Sequence, residues 1–72
     1  MNMITFTPTP ADFRAEIARL GLPHYIVAAR VGIHPSRFSR FLWGREVMSR
    51  RLADRLIEVI QEEKKARERI AE

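Results

Sequence analysis

The sequence contains no cysteine, which excludes a disulfide framework and any thiolate-ligated metal site. The fold must then come from packing of helices or sheets alone, and a cysteine-free chain suits a reducing, cytoplasmic compartment. The longest unbroken apolar run, Tyr25 to Ala29, is five residues, against about 20 for a membrane-spanning helix. No membrane partner is expected. Met1 to Pro10 carries no positive charge and no long apolar stretch, so it does not read as a signal peptide. The chain also lacks a glycine-rich phosphate loop and any Ser/His/Asp order. His24 and His34 stand ten residues apart with no convergent carboxylates, and Asp54 and Glu58, paired at i, i+4, read as a solvated helix face. We expect no enzyme, no metal and no cofactor.

What is present is a short chain with an uneven charge. Seventy-two residues are expected to form one small domain, which buries about 60% of the surface its unfolded chain exposes. The formal net charge is +4, and its distribution matters more than its size. Up to Ala29, Arg14 and Arg19 balance Asp12 and Glu16; from Leu56 onward, four basic residues face five acidic ones. The whole excess lies between Arg30 and Arg55, where Arg30, Arg37, Arg40, Arg45, Arg50, Arg51 and Arg55 face only Glu46 and Asp54, a surplus of five. Every basic residue of that stretch is arginine, whose guanidinium fork matches phosphate oxygens and guanine edges. A nucleic-acid partner is favoured over a merely solvated surface.

Local chemistry divides the chain into helices. Thr9-Pro10-Ala11-Asp12 reads as a start, with Thr9 as N-cap, Pro10 at the first helical position and Asp12 reaching back as in a capping box. Phe13, Ile17 and Leu20 then share one face, and Gly21 stops the helix. Pro23 opens a second helix of about nine residues, in which Ile26, Val27, Ala28 and Val31 supply the apolar face until Gly32, a length that needs tertiary support. Ile33 is expected to point inward from the tight turn. Pro35 opens a third helix with Phe38, Phe41 and Leu42 as its dry stripe, Ser36, Arg37, Ser39 and Arg40 on the opposite side, and Gly44 as its end. Ser49 is placed to cap a fourth, carrying Leu52, Leu56 and Val59 with Ile57 and Ile60 beside them. If that helix runs on to Ile70, it is about 33 Å long at 1.5 Å per residue, so its last turns should project or fray. Ile4 and Phe6 alternate with Thr5 and Thr7, a weak strand signal.

The stretch from Pro23 to Gly44, PHYIVAARVGIHPSRFSRFLWG, resembles the helix-turn-helix of lambda-repressor-like (Xre and Cro type) DNA-binding domains. Ala28 falls where that family has a small residue at the helix crossing, Gly32 at the turn, Ile33 just after it, Phe38 and Phe41 on the core face of the recognition helix, and Gly44 at its end. The likeness extends to about residues 11 to 60. The chain departs from the pattern at Pro23 and His24, where a Ser or Thr cap and a Gln are usual. It departs again at His34, the cap of the recognition helix, and at Leu42-Trp43. The resemblance implies an all-α, compact four- to five-helix bundle containing a helix-turn-helix, with a short extended N-terminal segment. Residues 1–8 would be that segment, 9–62 the DNA-binding domain and 63–72 a charged C-terminal helix extension.

The same resemblance assigns the candidate contacts. Ser36, Arg37, Ser39 and Arg40 are expected to meet base edges in the major groove, with Arg40 suited to guanine N7 and O6. His24, His34, Arg45, Arg50 and Arg51 are expected at phosphates. Trp43 has three candidate places, the core edge, a sugar-phosphate strand or a dimer seam, with the core edge favoured. The implied function is a sequence-specific double-stranded DNA-binding transcriptional regulator, a small phage or bacterial repressor acting on its operator as a homodimer. Met1 to Phe6 and the heptad-like row Leu52, Leu56, Val59, Glu63, Ala66 and Ile70 of the fourth helix are the candidate dimer contacts. The alternative is a protein-interaction module on the same fold, such as an antitoxin-like protein or a subunit of a recombination complex.

Overall fold

The computed structural model describes residues 8–71, with side-chain surroundings through Arg69. The expected N-terminal segment, with Ile4 and Phe6, lies outside the described residues apart from Pro8. Four helices follow in order: α1 (Pro10–Leu20), α2 (His24–Val31), α3 (Pro35–Leu42) and α4 (Arg50–Ala71). Among the described residues there is no strand and no helix long and apolar enough to cross a membrane. The all-α expectation holds.

Each boundary has a local cause. Asp12 N–H donates to Thr9 Oγ1 at 3.2 Å while Asp12 Oδ2 accepts from Thr9 N–H at 2.8 Å, so the capping box at α1 is complete. Gly21 (φ +67°) and Gly32 (φ +97°) take the left-handed conformation that ends α1 and α2. At α3, His34 does what the usual hydroxyl would: its Nδ1 accepts from Ser36 N–H at 3.1 Å. Ser49 Oγ accepts from Leu52 N–H at 3.1 Å and starts α4.

The closest helix pairings are α2 with α3 and α4, and α1 with the same two. Between them lies one core of Phe13, Ile17, Leu20, Val27, Ala28, Phe38, Leu42, Leu56, Val59 and Ile60, with Ile33 and Val31 packed against it. The molecule is only 18 Å through its thinnest dimension, about two helices packed at 8–10 Å. Ion pairs extend the packed part of α4. Arg30 on α2 reaches Glu63 at 3.0 Å and Glu62 at 3.3 Å, and Lys64 reaches Glu16 on α1 at 2.9 Å. Beyond Lys64 the described side chains are exposed on a helix that continues to Ala71.

Three expectations change. Ile26, placed on the apolar face of α2, is exposed beside Tyr25. At 100° per residue, Ile26 and Ala28 stand about 200° apart, so one short helix cannot bury both on a single face. Phe41 is buried as its place on the dry stripe implies, although it stands outside the cluster that holds Phe38, and α3 is paired chiefly with α1 and α2. Trp43 does not cover the core edge: it is 60% exposed, with the Arg14 guanidinium 4.2 Å from its ring centroid. Leu56 and Val59, two positions of the heptad-like row, are fully buried in the chain's own core, so that row cannot serve as a continuous dimer seam.

Candidate nucleic-acid interface

α3 is built to present one face. Phe38 and Leu42 fill the core, and their burial turns Ser36, Arg37, Ser39 and Arg40 outward, all four exposed. The helix is held at both ends. At its start, Ser36 Oγ also lies 2.8 Å from His34 Nδ1, so the candidate base-reading hydroxyl is engaged in the cap. An accepting Nδ1 puts the proton of a neutral imidazole on Nε2, leaving a donor there. At its end, Arg14 Nη1 donates to the Leu42 carbonyl, a cation on the negative end of a helix. The remaining candidate on this side, His24, is exposed at the first position of α2, and its ring meets Phe38 edge to face at 6.1 Å.

The arginines separate into two groups. Arg37 and Arg40 both pair with Glu46, at 3.2 Å each. Arg30 is spent on α4, and Arg55 pairs with Glu58 at 3.0 Å and donates to the Arg30 carbonyl at 3.1 Å. Arg45, Arg50 and Arg51 are exposed and have no ion-pair partner among the described residues. Arg50 lines, with Glu46 and Asp54, a cavity that runs from the turn between α3 and α4 to Phe13 of α1, whereas Arg51 lines another beside Val31 and Glu58. The first turns of α2, α3 and α4 contain no carboxylate, whereas α1 has Asp12. The positive ends of three helix dipoles are therefore left without a local counter-charge.

Sequence reasoning missed two residues here. Glu46 entered only as a subtraction from the positive total, yet it organises the exposed face of α3. Arg14 counted as one half of a neutral N-terminal balance, yet it ties α1 to the end of α3 and covers Trp43. No periodic signal could have found either, since both contacts cross a turn or a helix boundary. A carboxylate shortly after two arginines of one helix face is the one hint the chain offered. Comparison with known proteins adds nothing to this picture: the chain matches no protein-family model, no curated protein and no solved structure.

Three carboxylates sit below their ordinary value of 4.5. Lys64 and then Arg19 hold Glu16 down, Arg40 and then Arg37 hold Glu46 down, and Arg67 and then Arg30 hold Glu63 down, each against some desolvation. Lys64 approaches the shielded Oε1 of Glu16 as an ion pair outside good hydrogen-bond geometry. Carboxylates whose folded pKa is lowered contribute stability above their unfolded value, and lose it as pH falls through the folded one. The share of the thermal midpoint that these three pairs supply should therefore be complete above about pH 4.5 and be lost as pH falls below it. High salt should shrink the decline, because these pairs are solvent-screened. Glu63→Gln should flatten the profile; a Glu63→Gln protein with the wild-type decline would show that the link to Arg30 contributes nothing.

Proposed function

We propose that this chain is a sequence-specific double-stranded DNA-binding transcriptional regulator of lambda-repressor-like architecture. It would be a small phage or bacterial repressor working in the cytoplasm, with α3 entering the major groove of its operator. The observation that carries the reading is the exposed, arginine-bearing side of α3, a helix fixed at both ends. Arg37 and Arg40 stand on that side, and Arg45 in the following turn and Arg50 and Arg51 at the start of α4 are exposed with no ion-pair partner among the described residues. Free guanidiniums and uncompensated helix N-termini suit phosphates; a rigid helix with outward side chains suits base edges. His34 Nε2 and the exposed ring of His24 extend the phosphate-facing set.

One eight-residue helix reads few base pairs, so two copies on half-sites about one helical turn apart give the specificity that a repressor needs. Pro8 lines two neighbouring cavities that share the apolar side chains Phe13 and Ile57, and Val47 nearby is 92% exposed. Residues 1–7 join the described chain beside these side chains, which favours that segment over the buried row of α4 as the pairing element, although Glu16, Lys64, Glu46 and Arg50 also line the two cavities.

A gel-shift against the DNA flanking its own gene tests the function. Salt-sensitive, sequence-selective retardation is expected, and no retardation of any duplex would overturn the reading in favour of a protein-interaction module. Sedimentation of the intact chain and of a variant lacking residues 1–7 tests the dimer. Loss of the dimer on truncation is expected; a monomer in both cases at tens of micromolar would remove it.

A further inference from the structure

Glu46 stands in the turn between α3 and α4, and its two carboxylate oxygens hold different arginines. Oε2 accepts from Arg37 Nε at 3.3 Å and from Arg37 Nη2 at 3.2 Å, while Oε1 accepts from Arg40 Nε at 3.2 Å. The two side chains are therefore gripped differently. Arg37 is engaged by two donors, one of them from its terminal fork, and its guanidinium also lies 5.4 Å from the Phe41 ring centroid, although its side chain is as exposed as that of Arg40. Arg40 is held by Nε alone. Its terminal fork, Nη1 and Nη2, has no partner among the described residues, and the side chain is about half exposed. A planar two-pronged donor is the geometry that meets the paired acceptors N7 and O6 of guanine.

From this asymmetry we infer that Glu46 is a positioning residue that sets sequence specificity: it fixes Arg40 with its fork outward as the base reader and keeps Arg37 engaged within the protein. The inference rests on the DNA-binding reading above and deepens it by separating two arginines that look equivalent in sequence.

Two physical effects act in the same direction. An arginine ordered before DNA arrives loses less side-chain entropy on binding than a free one, so the matched site gains from the pairing. A carboxylate on the binding face repels phosphates of every duplex alike, and a guanine in the right place offsets that repulsion by its two hydrogen bonds. A mismatched base offers no such offset, which widens the gap between right and wrong sites. Glu46 stays ionised at neutral pH, since Arg40 and Arg37 hold its carboxyl below its ordinary value.

The test selects preferred sites from a randomised duplex pool with the wild-type chain. It then measures selected and random duplexes against Glu46→Ala, Glu46→Gln, Arg40→Ala and the Glu46→Ala/Arg40→Ala pair. Glu46→Ala should lower preference for the guanine at one position about tenfold. It should also raise affinity for random duplex, with a salt slope steeper by about one, because Arg37 becomes free to meet a phosphate. Glu46→Gln, which keeps the shape of the turn, should move both readouts in the same directions. Circular dichroism and melting at neutral pH should stay near wild type in both. In the Arg40→Ala background, removing Glu46 should leave base preference unchanged. A Glu46→Ala protein with wild-type preference at every position would overturn the inference and leave the DNA-binding reading standing. A wild-type chain that selects no duplex would overturn both.

Discussion

Truncating Phe38 to alanine is expected to remove about 3 to 5 kcal/mol of folding stability, the range for deleting a buried aromatic ring and leaving a cavity behind. Phe38 is 0% exposed, sits in the main core and meets the His24 ring edge to face. For a 72-residue domain holding roughly 4 to 11 kcal/mol in total, the loss is a large share of everything that keeps it folded. The melting midpoint should fall by about 12 °C or more, and any DNA binding should vanish with the fold. Phe41→Ala should cost less, at or below about 3 kcal/mol, because that ring lies outside the main cluster, with the Arg37 guanidinium 5.4 Å from its centroid, so fewer core contacts are lost. Urea unfolding followed by circular dichroism reads both values. A Phe38→Ala protein that unfolds as wild type does, or a Phe41→Ala protein that loses more than Phe38→Ala, would contradict this packing.

Replacing Arg40 by alanine is expected to weaken operator binding by about 1 to 3 kcal/mol and to relax preference at one base position. Folding should barely change, since the ion pair it loses is solvent-exposed and Glu46 keeps Arg37. Arg51→Ala should behave differently. Arg51 is exposed and lacks an ion-pair partner among the described residues, so its loss should weaken all duplexes alike and make the salt dependence shallower by about one. Titrations of a selected and a scrambled duplex at several salt concentrations separate the two patterns. If Arg40→Ala bound both duplexes as wild type does, the outward face of α3 would not be the reading surface.

Much of the fold was legible because its signals are local. The capping box of Thr9 and Asp12, the left-handed glycines at 21 and 32, and Ser49 at the start of α4 each act within four residues of chain, so sequence order alone brings the partners together. The apolar periodicity of α1, α3 and α4 was legible for the same reason. On α2 it failed at Ile26, where three consecutive apolar residues cannot all face one side of an eight-residue helix. The candidate interface was legible only as a set of outward positions. Which of those side chains are engaged depends on Glu46, and the path of the turn that carries it has no periodic signature.

The sequence by itself determined where the helices begin and end, which stripe of each is dry, and that the positive charge gathers between Arg30 and Arg55. These are properties of backbone chemistry and residue spacing, and they need no knowledge of what packs against what. Only the tertiary structure decided the partners. Arg14 reaches the Leu42 carbonyl across 28 positions, and Arg30 reaches Glu63 across 33. Leu56 and Val59 show the limit most plainly: their spacing suits a seam between two chains as well as a core within one. A dry stripe is written in the order of residues, but the surface that covers it is set by how the helices fold back on one another, and here that surface belongs to α1 and α2 of the same chain.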